Sequence, residues 1–282
     1  MHQALAPLVW ATRIMFAKHT IPGREAPLQL DLKLFEPRDY ETIIPSLREV
    51  ERRLKNVPAD AQGMRWIHLG DTVLFYGERT FDVSYEDFIS RVSIGHVGQF
   101  YRDSLSATTE VAERDELGRP VRQGVRVVAL PQPNYTAFLG KDELDVYKLE
   151  KIDYSENEQR VWMLTVHSPN RSAVCDDGYM SFSRTADGTG TVVAFLACQN
   201  FPLPRLLALA GLDRWTWLKA VLTESAYRRF CNVMMRNIRD CYDGDEFRIG
   251  RESKQAPRRG HTAGVPLTWD DRFEYLFPRA GL

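Results

Sequence analysis

Asp187-Gly188-Thr189-Gly190-Thr191-Val192-Val193-Ala194-Phe195-Leu196-Ala197-Cys198-Gln199-Asn200, with the helical run that follows at roughly 213–242, is the stretch on which the fold turns. Asp187 to Gly190 is a tight-turn sequence whose glycines tolerate the positive φ angles that hairpins need. It joins strand-like runs at 177–186 and 190–200, and a third such run lies at 159–168. A twisted antiparallel sheet that ends in one long helix lays that helix across one of its faces. The strand at 190–200 has a second property. Val193, Phe195 and Ala197 fall on one face, and Val192, Ala194, Leu196 and Cys198 on the other. Both faces are apolar, whereas an open antiparallel sheet usually alternates, so a second layer is required. The segment 38–56 supplies a candidate, since Tyr40, Ile43, Ile44, Leu47, Val50 and Leu54 recur at helical spacing.

Upstream of the C-terminal trio the order is a strand at about 72–83, then a helical stretch at 85–101. Ser84 is placed as its N-cap, and Glu86 and Asp87 fall in the first turn, where the helix dipole favours carboxylates. Gly95-His96-Val97-Gly98 interrupts this stretch, so two short helices are expected. Strands follow at about 106–114 and 121–130, joined by a turn through Gly118 and Pro120. Another strand runs through 144–150, whose alternation predicts one buried and one wet face. Without alternating strand–helix units, a parallel nucleotide-binding sheet is not expected.

Composition excludes several classes. Across 282 residues, 44% are hydrophobic and 27% charged, an ordinary balance for a globular chain, and the net charge of −1 gives no basis for nucleic-acid binding. Cys175, Cys198, Cys231 and Cys241 show no metal-ligand or CxxC spacing. That argues against a zinc site or a disulfide framework and for a reducing cytoplasm. No run approaches the ~18 apolar residues of a membrane span, and Met1–Phe16 lacks signal-peptide features. No cofactor is implied, and no nucleophile elbow, P-loop or metalloprotease motif is present. Asp176-Asp177 and Asp270-Asp271 read as solvated turn carboxylates.

The pattern of Val73–Val83 leading into Ser84–Tyr101, and of Gly178–Asn200 leading into Leu212–Tyr242, resembles the helix-grip fold of the START-like superfamily, which includes the polyketide cyclases. The resemblance covers about 71–245. It implies an α+β architecture, a curved antiparallel β-sheet wrapped around a long C-terminal helix. Residues 1–70 would be an N-terminal arm and helix packing on the sheet, and 246–282 a C-terminal tail. It also implies binding of a hydrophobic small molecule (a lipid, polyketide or aromatic compound) between sheet and helix. The alternative is a polyketide cyclase or dehydratase in the same cavity.

On this reading the helix stripe Trp215, Leu222, Phe230 and Met234, with Phe195 on the sheet, lines the cavity, although core packing is the simpler account of any single residue of the stripe. His167, Tyr179 and Arg184 are candidate polar anchors for the ligand. The apolar segment 201–212, with Leu206 and Leu209, is either a lid that touches a membrane surface or a short helix packed into the core. A surface for a protein partner is a further reading of the same segment. No catalytic residue and no metal ligand is assigned.

Overall fold

The computed structural model describes residues 38–100, 104–129, 144–168, 175–200, 211 and 214–244. Helix α1 (Arg38–Lys55) leads into a hairpin of β1 (Met64–Leu69) and β2 (Thr72–Phe81). Helix α2 (Tyr85–Arg91) and a 3-10 segment (Ile94–Phe100) follow. Six strands come next: β3 (Ser104–Arg114), β4 (Pro120–Ala129), β5 (Leu144–Tyr154), β6 (Glu158–His167), β7 (Cys175–Arg184) and β8 (Thr191–Asn200). Helix α3 (Thr216–Tyr242) closes the described chain. The strands form one eight-stranded sheet, ordered β1-β2-β8-β7-β6-β5-β4-β3, with every pairing antiparallel. The last strand thus pairs with β2, and α3 lies against β2, β8, α2 and the 3-10 segment. This is the helix-grip arrangement.

The elements form for local reasons. Ser84 caps α2 by accepting the Asp87 backbone N–H at 3.3 Å, and Glu86 and Asp87 occupy the first turn. Between β7 and β8, Gly188 takes φ 75° and the Asp187 carboxylate accepts from the Thr189 N–H and the Thr185 hydroxyl. β1 is an element that the sequence reading leaves unassigned. It pairs with β2 through the two-residue turn Gly70-Asp71, in register Leu69↔Thr72 to Met64↔Gly77.

The two faces of the sheet build two cores. On the inner face, under α3, Phe75, Phe81, Ile152, Val161, Met180, Phe182, Val193 and Phe195 pack with Phe88, Phe100, Tyr227, Cys231, Met234 and Ile238. On the outer face, Leu74, Tyr76, Tyr147, Leu149, Trp162, Leu164, Tyr179, Ala194, Leu196 and Cys198 pack with Ile43, Ile44, Leu47, Val50 and Leu54 of α1. Burying five aliphatic side chains contributes on the order of 10 kcal/mol as an upper bound, before the entropy of ordering the helix.

Two expectations are corrected here. In β5, Val146 through Glu150 are all buried, so neither face of that strand is wet. In β7, Asp176 and Asp177 lie within a strand and not in a solvated turn, and Asp177 is only 2% exposed.

Candidate functional site

The inner face of the sheet grades from aromatic to polar along its strands. At its centre, Phe75 meets Tyr227 edge-on at 5.0 Å, and Phe88 meets Phe182 edge-on at 5.0 Å. These edge-to-face pairs are the favoured aromatic geometry and sit within the inner core. Strand alternation then places Gln123, Lys148, Glu150, Thr165, Asp176 and Gln199 on this same face. Each shares its parity with an inner-face neighbour: Ile152 in β5, Val161 in β6, Met180 in β7 and Phe195 in β8, while Gln123 of β4 pairs with Glu150. All but Asp176 are among the buried polar residues.

These groups are joined to one another. Lys148 Nζ donates to the Asp176 carboxylate, whose other oxygen accepts from Gln199 Nε2 at 2.7 Å. The Thr165 hydroxyl donates to the Asp176 carbonyl at 2.9 Å. Regular pairing between β6 and β7 stops at Met163↔Gly178, which would strand the Thr165 N–H. The Asp177 carboxylate accepts it at 2.7 Å from the outer face. One residue pair along β5, Glu150 accepts from Gln123 Nε2 at 2.7 Å, and the same nitrogen donates to the Gly95 carbonyl of the 3-10 segment at 2.9 Å.

Burial dominates the electrostatics of Glu150. It raises the carboxyl from 4.5 to about 7, although the Gln123 hydrogen bond and the Lys148 charge act in the opposite direction. A carboxyl poised there exchanges a proton near neutrality.

Gln199 sits toward the end of the sheet where α3 begins, whereas Gln123 and Glu150 lie beside the 3-10 segment. Gln199 precedes Asn200, whose side-chain oxygen accepts from Lys219 in the first turn of α3, and Lys219 also pairs with Asp71 at 2.7 Å. Further along, Glu224 bonds His68 of β1 at 2.8 Å, and Arg228 pairs with Asp60 and with Glu224. Charged contacts therefore pin one flank of the helix to the β1 edge. On the other flank, Asn237 donates to the Phe100 carbonyl at 2.6 Å.

The residues anticipated from sequence divide between the layers. Phe195 and Met234 lie in the inner core at 4% and 3% exposure, and Phe230 packs against that core while stacking on Tyr227. The buried stripe of α3 is Ala220, Thr223, Tyr227, Cys231, Met234 and Ile238, so Leu222 is half-buried and lies to one side of it. Trp215 is 51% exposed and stacks on Trp217 before the helix enters the core, so it does not line the inner face. Tyr179 belongs to the outer core. It meets Trp162 edge-on beneath Arg160, and burial, with the Glu51 carboxylate, holds its hydroxyl protonated. Arg184 shares the inner-face parity, but its guanidinium bonds Glu86 at the start of α2 and lies over the Tyr85 ring. His167 ends β6 opposite Tyr147. Leu206 and Leu209 lie outside the described residues.

The sequence reading missed Gln123, Lys148, Glu150, Asp176 and Gln199. The available signal was polar residues at alternate positions of strands whose intervening positions are apolar, a pattern that a wet face produces equally well. Among the described residues, no group of His, Cys, Asp and Glu could hold a metal ion, and no helix is long and apolar enough to cross a membrane.

No protein-family model matches the sequence, and no curated protein matches it. The chain is similar in structure to human StAR-related lipid transfer protein 5, at 10% identity over 73% of this chain and 98% of that one, with a TM-score of 0.45. It is also similar to the lipid transfer and protein localization domain of human StarD13, at 11% identity over 71% and 96%, with a TM-score of 0.43. For the Zhui aromatase/cyclase from Streptomyces sp. R1128 the values are 11%, 63% and 94%, with a TM-score of 0.38. The START-like fold is read from the strand order, the two short helices after β2 and the position of α3, not from these values.

Proposed function

We propose that this protein binds a hydrophobic small molecule on the inner face of the sheet, beneath α3. One observation carries the reading: a fold that needs only apolar packing there instead buries an ion pair, a second carboxyl and two amides beside the aromatic core. Burying such groups costs stability unless they are satisfied. Retaining them fits a site where a few polar groups orient an otherwise apolar ligand. Apolar burial would supply the affinity, at about 25 cal/mol per Å² before ordering costs.

Residues 71–245 would form the binding unit, 1–70 an extension over the outer face and 246–282 a tail. Peripheral membrane contact through 201–212 belongs to the same proposal. It is supported by Trp215 and Trp217, exposed immediately after that segment, because indole rings suit a boundary between apolar and wet surroundings. Cys198, Cys231 and Cys241 are thiols and not disulfides, which supports a reducing compartment such as the cytoplasm.

Glu150 favours a second reading, a cyclase- or dehydratase-like enzyme. A carboxyl that titrates near 7 on the ligand-facing side can take a proton from a bound substrate and return it. In that case Glu150→Gln keeps binding and abolishes turnover.

The first experiment is native mass spectrometry of the purified full chain, followed by denaturing extraction. A stoichiometric apolar compound supports the proposal and identifies its class. If nothing co-purifies and an anilinonaphthalene probe shows no saturable 1:1 binding, the proposal fails.

A further inference from the structure

Two buried side-chain oxygens on the inner face have no hydrogen-bond partner: Oε1 of Gln123, 1% exposed, and Oε1 of Gln199, 2% exposed. Turning the amides over does not relieve this. The Nε2 of Gln123 lies against the Gly95 carbonyl and the Glu150 carboxyl, and the Nε2 of Gln199 lies against the Asp176 carboxylate. A carbonyl cannot donate, nor can a carboxylate paired with Lys148, and a turned Gln123 would set its oxygen against the Gly95 carbonyl whether or not Glu150 holds a proton. Both amides are therefore oriented with their oxygens as bare acceptors. Leaving a buried acceptor unmet costs roughly 1–3 kcal/mol, and native interiors hold few such atoms.

The charges around these oxygens bear on what can meet them. The inner-face cation Lys148 already has the Asp176 carboxylate as its partner, and Glu150 adds a second carboxyl on the same strand face. The balance is neutral to negative, so a ligand carboxylate or phosphate would meet acceptors and like charge. A neutral donor meets neither obstacle.

Resting on the binding function proposed above, we infer that the ligand is a neutral apolar molecule carrying hydroxyl or N–H donors, received by the side-chain oxygens of Gln123 and Gln199, and that anionic analogues are rejected. The polar row recognises an alcohol or a phenol, while the aromatic core receives the hydrocarbon body.

The test compares three probes of one shape: 2-naphthol, 2-methylnaphthalene and 2-naphthoate. Each is titrated calorimetrically into the intact chain at pH 8, where the naphthoate is fully ionised. A neutral hydrogen bond worth about 1–1.5 kcal/mol corresponds to roughly 10-fold in affinity. The naphthol should therefore bind about 10-fold more tightly than the methyl compound, and the naphthoate more weakly than either. Gln123→Met and Gln199→Met remove the acceptors at similar volume. At least one should erase the naphthol preference, so that the variant binds naphthol and methylnaphthalene alike.

Equal binding of naphthol and methylnaphthalene by the wild-type chain would overturn the inference, because water would then serve the two oxygens, yet it would leave apolar binding intact. A preference for naphthoate would overturn it as well. Binding of none of the three would instead remove the underlying binding proposal. The wild-type comparison decides the matter even if neither methionine variant folds.

Discussion

Replacing Glu150 with glutamine isolates the electrostatic cost of a carboxyl on the inner face. Burial raises this group from 4.5 to about 7, so the folded chain binds the proton more tightly than the unfolded chain does. Between those values the native state holds one more proton than the unfolded state, and stability falls as pH rises. The contribution is fully present below 4.5, is lost through about 7 and stays flat above. At about 1.4 kcal/mol per pH unit, the loss across that window is about 3 kcal/mol. Glutamine preserves shape and hydrogen bonding but cannot ionise, so the variant escapes the loss. Its stability relative to wild type should rise by about 3 kcal/mol between pH 4.5 and pH 8, while groups that titrate alike in both proteins cancel. The assay is urea unfolding at a series of pH values, followed by tryptophan fluorescence. For a folded unit of this size, the gap in melting temperature between variant and wild type should widen by roughly 6–12 °C from pH 4.5 to pH 8. A wild-type-to-variant difference that stays constant within about 0.5 kcal/mol across the range would refute the burial of Glu150, and with it the polar inner face.

Other perturbations test the remaining layers. Leu47→Ala, at 0% exposure between α1 and the sheet, should cost about 2–5 kcal/mol in urea unfolding; a loss below 1 kcal/mol would mean that α1 does not pack there. In Asp60, burial acts to raise the carboxyl, but the Arg228 side chain, the Met64 and Gln62 N–H groups and the Trp66 indole together lower it from 3.8 to about 2. Its stabilisation is therefore present above 3.8 and lost as pH falls toward 2. Asp60→Asn should cost about 1–2 kcal/mol at pH 7, discounted for partial exposure, and the deficit should fade in acid. Gly178→Ala would put a Cβ 1.9 Å from the Leu196 carbonyl oxygen. Strand separation must increase to admit it, so a loss above about 3 kcal/mol, or no soluble protein, is expected.

Much of the fold was legible because its signals are local. The turn at Asp187-Gly188 and the Ser84 cap each depend on a few adjacent residues, and the structure reproduces them. Two short helices do follow β2, but the break between them falls at Val92-Ser93, and Gly95–Gly98 lies inside the 3-10 segment. The apolar character of both faces of 190–200 required a second layer, and Ala194, Leu196 and Cys198 do meet α1. What sequence could not determine was the chemistry of the inner face. A period of two assigns Lys148 and Glu150 to one side of a strand without saying whether water or another layer lies beyond it. Asp176-Asp177 has the local composition of a turn, and only pairing with β8 makes it strand. Its link to Lys148 crosses an intervening strand, through a register that no local pattern encodes. Tyr179 and Phe195 looked alike as cavity candidates, yet opposite parity put them in different cores. Strand alternation and capping are properties of neighbours in the chain. The burial of a polar group, and so its proton affinity and its need for a partner, is a property of neighbours in space.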